Sequence, residues 1–287
     1  MNDKMKNLWV RSVSGAVLVV VVLGAILWSK WSFAALLMAI LIGGESEFYR
    51  MAQKAGYAPQ KVLGFVAGAI ILMVAFILMW LLDDSTTVSS QYLIIAVGLA
   101  LYIMMLIPVM FICELYRKSP TPIANIGSTL MGIVYVAMPL ALLFFIPLML
   151  GRGVWNPWAL IFYIFIIWAN DVCAYLVGMS IGKHRLFQRI SPKKSWEGFI
   201  GGLVGAMAMG YVASTFMEGT HAIWIGMALI AAITGVFGDL VESLLKRSVD
   251  VKDSGNILPG HGGWLDRFDA LLLSIPFVFI YLVFCID

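Results

Sequence analysis

Residues 62–82 read VLGFVAGAIILMVAFILMWLL, twenty-one positions without a charge. An α-helix needs roughly 20 apolar residues to cross the hydrocarbon core of a bilayer. Backbone polar groups cannot go unpaired in lipid, so a span is either a helix or part of a closed barrel. Barrel strands alternate in polarity; this run does not, and neither does Val17–Leu27. The reading is therefore helical. Eight further stretches share the pattern, giving about nine transmembrane helices over 9–28, 31–50, 61–82, 91–112, 126–150, 156–181, 197–216, 221–245 and 267–285. Composition agrees: 62% of the 287 residues are hydrophobic and 12% charged, against about 25% charged in a soluble domain.

The first stretch has the basic start of a signal peptide (Lys4, Lys6, Arg11) but no small-x-small cleavage site. Trp28 and Trp31 at its far end read as an interfacial belt, so it counts as the first transmembrane helix. Cys113, Cys173 and Cys285 form no ligand pattern and read as ordinary buried residues, and the three histidines form no zinc motif. Small-residue spacings at Gly64/Gly68, Gly198/Gly202 and Gly201/Gly205 permit close helix packing, either within the chain or across a homodimer.

Charge fixes the expected orientation. With the N-terminus inside, 17 of the 19 Lys and Arg residues fall on the cytoplasmic side and only Lys30 and Arg152 outside. The positive-inside rule then predicts N-in and, with nine spans, C-out. The long polar connections 182–196 and 246–266 both become cytoplasmic. The chain divides at about residue 120 into N-terminal spans 1–4 (1–120) and a C-terminal catalytic region, spans 5–9 (121–287).

Acids inside spans are the functional clue. Glu45 and Glu47 lie in span 2, Asp171 in span 6, Asp239 and Glu242 in span 8, and Asp266 and Asp269 at the start of span 9. At 1.5 Å per residue these fall in the cytoplasmic half of the core. A charge at mid-bilayer costs about 2.5–3.5 kcal/mol on insertion scales, so several at one level call for compensation by a cation, by bases or by water. For Glu45 and Glu47, simple pairing with a loop base stands level with a functional role.

Asp239, Glu242, Ser243, Lys246 and Arg247 recur at i, i+3, i+4, i+7 and i+8, along one helix face that runs from acid to base. Oxygen-only ligands favour magnesium, and bases suit phosphate. Lys246 and Arg247 end the helix that carries Asp239, so this pair is expected nearer the reacting phosphates than Lys193 and Lys194. The segment Ser191-Pro192-Lys193-Lys194-Ser195-Trp196-Glu197-Gly198 ends at a helix start with Ser195 as N-cap, an arrangement suited to anions.

The stretch Ser243–Arg247, then Lys252-Asp253, then Leu258–Asp269 closely resembles the 27-residue signature of the phosphatidate cytidylyltransferases, also called CDP-diacylglycerol synthases. Ser191–Gly198 resembles that family's second segment. Two departures stand out. Asn170-Asp171-Val172-Cys173-Ala174-Tyr175 replaces a pattern close to Ala-Asp-Thr-Gly-Ala-Tyr, and Trp264 replaces an aliphatic residue.

The resemblance implies an integral protein of the bacterial cytoplasmic membrane with its site facing the cytoplasm. The implied partners are CTP, phosphatidate and the lipid bilayer, with no nucleic acid. It implies a magnesium site with Asp239 and Asp266 as ligands and potassium as a candidate second cation. Its catalytic set falls on Asp239, Lys246, Arg247, Asp266, Arg267 and Asp269. Its substrate-binding set falls on Asp171, Lys193, Lys194, Ser195, Glu197, Ser243, Lys252, Asp253, His261, Gly262 and Gly263. The alternatives are a CTP-dependent polyprenol kinase and an ion-coupled transporter. No internal repeat supports the transporter, and the charges cluster at one face rather than at the midplane.

Overall fold

A computed structural model describes residues 3–83, 90–217, 219–255 and 262–285, with backbone alone for 3–11 and 90–92. The apolar runs form α1 (Asp3–Trp28), α2 (Lys30–Lys54), α3 (Lys61–Leu82) and α4 (Ser90–Arg117). The predicted fifth span is broken into α5 (Pro122–Gly132), a π-helical turn (Ile133–Ala137), α6 (Met138–Leu143) and α7 (Ile146–Leu150). Then follow α8 (Pro157–Ile181), α9 (Trp196–Phe216), α10 (His221–Ser248) and α11 (Leu265–Cys285). Among the described residues, eight helical stretches, counting Pro122–Leu150 as one, are long and apolar enough to span; α1 contributes a shorter apolar stretch, Ser12–Trp28. The fold is thus the all-helical membrane bundle expected. Besides the broken fifth span, the described residues depart from that expectation in a small antiparallel hairpin, β1 (Arg185–Phe187) with β2 (Ser191–Ser195), between α8 and α9.

Local chemistry sets the helix ends. Ser29 caps α2 reciprocally with Ser32, each side chain accepting the other's backbone N–H at 3.0 Å. Asn156, Ser195 and Thr220 cap α8, α9 and α10. The break in span five has a covalent cause. Pro139 has no N–H to give the carbonyl of Tyr135, and Pro147 none for Leu143, so the α-helical ladder is interrupted.

Helix ends that the alternating topology assigns to one side do meet. Lys30 at the start of α2 pairs with Asp83 at the end of α3, and Asp83 also accepts the backbone N–H of Trp155 at 2.7 Å. At the opposite ends, buried Glu114 of α4 accepts from Asn125 (2.6 Å), Gln60 (2.7 Å) and Arg117 (2.9 Å).

The small-residue pairs are used within the chain. Gly64 faces Tyr49 and Gly68 faces Glu45, so α3 lies tightly on α2. Gly198, Gly201, Gly202 and Gly205 face Ala174, Val177, Asn170 and Cys173, so α9 lies tightly on α8. Cys173 stands where the family pattern has glycine, and its sulfur packs over Gly205. The cysteines are less buried than composition implied: Cys113 and Cys173 are half-buried and Cys285 is exposed.

Candidate active site

The site is built where α10 and α11 come closest. Gly238 of α10 packs on the backbone of Asp269 and Ala270, where a Cβ would lie 2.9 Å from the Ala270 Cα. That approach brings carboxylate oxygens of Asp239, Glu242 and Asp269 within 4.8 Å of one another. Glu242 is fully buried, and its Oε1 has no hydrogen-bond partner among the described residues. Asp269 accepts the N–H of Ala270 at 2.7 Å, and Ser243 Oγ lies 3.4 Å from Asp239.

Two lysines reach into these acids. Lys246 Nζ bridges Glu242 (2.5 Å) and Asp266 (2.6 Å), and Lys194 Nζ meets Asp239 (2.5 Å). Asp266 also binds the loop: its Oδ2 accepts from the backbone N–H of Ser254 (2.9 Å) and of Gly263 (2.8 Å). Both acids predicted as metal ligands therefore carry an ammonium partner. The acids grouped with Asp239 are Glu242 and Asp269, with Asp266 joined to Glu242 through Lys246.

Glu47 reaches the same loop from α2. It accepts the backbone N–H groups of Trp264 and Leu265, each at 3.0 Å, and so caps α11 from another helix. Glycine is required here. Gly262 has φ +79°, and a side chain at Gly263 would collide with the Glu47 carboxylate. Trp264 is accommodated because its indole lies over Gly43 of α2, stacked on Phe268 at 6.2 Å between centroids. Glu45, two residues from Glu47, is fully buried against Gly68 with no hydrogen-bond partner, away from this loop.

Two cavities meet at the acids. One, of about 500 Å³, lies between α8, α9 and the hairpin and is lined by Asp171, Tyr175, Arg185, Lys193, Lys194, Ser195 and Asp239. The other, of about 310 Å³, lies between α1, α2, α8 and α11; its walls are apolar, and Asp171, Asp266, Arg267 and Asp269 form its polar end. Asp171 borders both.

The remaining predicted residues sit apart from the acids. Arg247 is exposed and donates to the carbonyl of Val251 at 3.0 Å. Lys252 and Asp253 are exposed. Glu197 folds back on the hairpin's start, accepting from the backbone of Lys183 (3.1 Å) and His184 (3.2 Å) and meeting the His184 ring at 2.6 Å. His261 lies outside the described residues.

Sequence reasoning missed Tyr135. It is 8% exposed, and its hydroxyl has no hydrogen-bond partner among the described residues. The available signal was Pro139, four residues on, which marks the widened turn; such turns recur at functional sites.

A membrane-embedded cluster of carboxylates and lysines, between a basic cavity and an apolar one, defines a protein that handles anionic, lipid-linked chemistry. The chain belongs to the cytidylyltransferase family, which it matches over residues 9–285. It is 48% identical over 120 residues to a phosphatidate cytidylyltransferase of Staphylococcus aureus (strain COL), covering 41% of this chain and 46% of the relative. It is 49% identical over 120 residues to that of Bacillus subtilis (strain 168), covering 41% and 44%. These matches thus span about half of each relative. A phosphatidate cytidylyltransferase of Rickettsia bellii (strain RML369-C) is 29% identical over 286 residues, covering 96% of this chain and 92% of the relative.

Proposed function

We propose that the protein transfers the cytidylyl group of CTP to phosphatidate, giving CDP-diacylglycerol and pyrophosphate. The observation that carries this reading is the meeting of a basic cavity and an apolar-walled cavity at one set of acids. A nucleotide triphosphate suits the first and a lipid phosphate the second. A phosphatidate oxygen attacks the α-phosphorus of CTP. The new P–O–P bond forms as the bond from the α-phosphorus to the β-bridging oxygen breaks, and pyrophosphate leaves with that oxygen. The attacking phosphate is already anionic and needs no general base. Catalysis is then a matter of holding two polyanions together and neutralising their charge. Lys194, Lys246 and Arg267 would serve the second task, as bases beside the acids or at the polar end of the apolar cavity.

The donors suit a hard divalent cation. They are all carboxylate oxygens, and one of them, Glu242 Oε1, is buried without a hydrogen-bond partner among the described residues. Asp239, Glu242 and Asp269 would hold magnesium, and Asp266 would stand beside them on Lys246. When bound, the ion supplies charge neutralisation at the phosphates. Potassium remains the candidate second cation. The partition of bases supports an N-in, C-out orientation in the bacterial cytoplasmic membrane, with the site facing the cytoplasm.

The test is an assay of purified protein in detergent with CTP labelled at the α-phosphate, phosphatidate and magnesium. Equal amounts of CDP-diacylglycerol and pyrophosphate are expected. With a polyprenol supplied in place of phosphatidate, formation of CDP and the polyprenyl phosphate would favour the kinase. Ion flux in proteoliposomes without nucleotide turnover would favour the transporter.

A further inference from the structure

We propose that the cavity between α1, α2, α8 and α11 holds an acyl chain of the lipid substrate, and that α1 is the wall that limits what chain fits. This rests on the transferase reading above and goes beyond it, because it assigns a role to the N-terminal helices. The cavity runs along α1 from Gly15 to Ile26, twelve residues whose eleven steps cover roughly 16 Å of helix. Leu18, Val19 and Val22 of α1 face Leu36 and Ile40 of α2 across it. On the other side of α1, Val17, Val20 and Val21 are exposed, as lipid-facing residues are. α1 thus has one face on the cavity and an exposed apolar face opposite it. Its volume of about 310 Å³ lies at the lower end of ligand cavities.

The polar end decides which apolar molecule belongs there. Arg267 lines the polar end of the cavity with Asp266 and Asp269. A chain seated between α1 and α2 would therefore place an attached phosphate by a guanidinium and next to the acids shared with the basic cavity. This end also carries the carboxylates of Asp171, Asp266 and Asp269, so it favours an anionic phosphate over a zwitterionic headgroup once those acids hold the cation proposed above. Bilayer tails are already in an apolar solvent, so burial itself gives no preference. Selection among chains must come from shape.

Wild-type protein, Val19→Trp and Leu36→Trp are assayed with dioctanoyl and dioleoyl phosphatidate at saturating CTP. Filling the groove should lower the ratio of kcat/KM for the long chain over the short by about tenfold or more, a size typical of steric pockets. An equal loss on both lipids, or an unchanged ratio, overturns the assignment. A second measurement avoids substitution. Phosphatidate with a diazirine in its acyl chain should label α1 or α2 peptides of the wild-type protein, competed by phosphatidate and not by phosphatidylcholine. Labelling elsewhere, or equal competition by both lipids, also overturns it. A wild-type protein inactive on every phosphatidate would instead count against the transferase reading.

Discussion

The hydroxyl of Ser254 lies 2.7 Å from Glu47 Oε2 and 2.9 Å from Asp266 Oδ2, so one loop residue joins a carboxylate of α2 to a carboxylate of α11. With a single proton, the hydroxyl donates to one of them at a time. Glu47 also holds the first backbone N–H groups of α11, which makes an N-terminal helix a structural part of the C-terminal site. Glu47→Ala leaves these donors unpaired in a buried place, a loss of about 1–3 kcal/mol for each group left unsatisfied. We expect a lower melting temperature in detergent and faster amide exchange at Trp264 and Leu265. Wild-type exchange at those two amides would show that Glu47 does not hold the loop.

The acid cluster predicts a graded mutant series. Asp239→Asn and Asp266→Asn should each lose more than about 100-fold in turnover, about 3 kcal/mol, while still folding and purifying. Glu242→Gln should also lose rate and raise the magnesium concentration needed for half-maximal activity, because its orphaned oxygen belongs to the same group. Near-normal turnover in either aspartate variant would remove that residue from the cation site. An unchanged magnesium requirement in Glu242→Gln would leave Glu242 as a partner of Lys246 alone.

Tyr135 offers a cleaner separation of structure from function. Its hydroxyl has no partner among the described residues, so Tyr135→Phe is expected to remove no hydrogen bond and to leave the melting temperature within a degree or two. If the hydroxyl serves the cation's ligands or a phosphate oxygen, the variant's apparent magnesium constant should rise by roughly tenfold, about 1.4 kcal/mol. A variant equal to wild type in both measurements would mark the hydroxyl as a passive buried group.

The orientation is testable with single cysteines in a background lacking Cys113, Cys173 and Cys285. Val154 and Asp253 are both exposed, one on the predicted outer side and one on the inner. Val154→Cys should react with an impermeant maleimide on intact cells, and Asp253→Cys only after permeabilisation. Ser254 would be a poorer reporter because it is buried. The reverse pattern would invert the topology and move the site to the other side of the membrane.

The bundle was legible because lipid leaves the backbone one economical choice, and the acids were legible because charges in spans are costly. The face from Asp239 to Lys246 followed from helical periodicity alone. Partners across elements were not legible. Nothing in the local sequence says that Glu47 meets the amides of residues 264 and 265, or that Trp264 lies over Gly43. Those contacts depend on how α2 packs on α11. The hairpin was missed because residues 185–195 carry charges and a proline rather than an alternating apolar pattern.

That missed hairpin changes which bases matter. Periodicity alone grouped Lys246 with Arg247 near the phosphates and set Lys193 and Lys194 farther off. The structure splits both pairs. Successive residues of a strand point to opposite sides; Lys194 turns in to Asp239, while Lys193 stays exposed at the rim of the basic cavity. At the end of α10, Lys246 turns in to Glu242 and Asp266, while Arg247 faces out to Val251. Groups beside the acids neutralise charge that grows in the transition state, so Lys194→Ala and Lys246→Ala should lower kcat by roughly 100-fold or more. Lys193→Ala should mainly raise the KM for one polyanionic substrate, because a rim contact holds ground and transition states alike. Arg247→Ala should stay within about threefold of wild type, as exposed changes away from a site usually do. Steady-state kinetics with CTP and phosphatidate varied in turn decide the matter. If kcat falls at Lys193 and Arg247 while Lys194 and Lys246 affect KM alone, the inward pair is not the catalytic one.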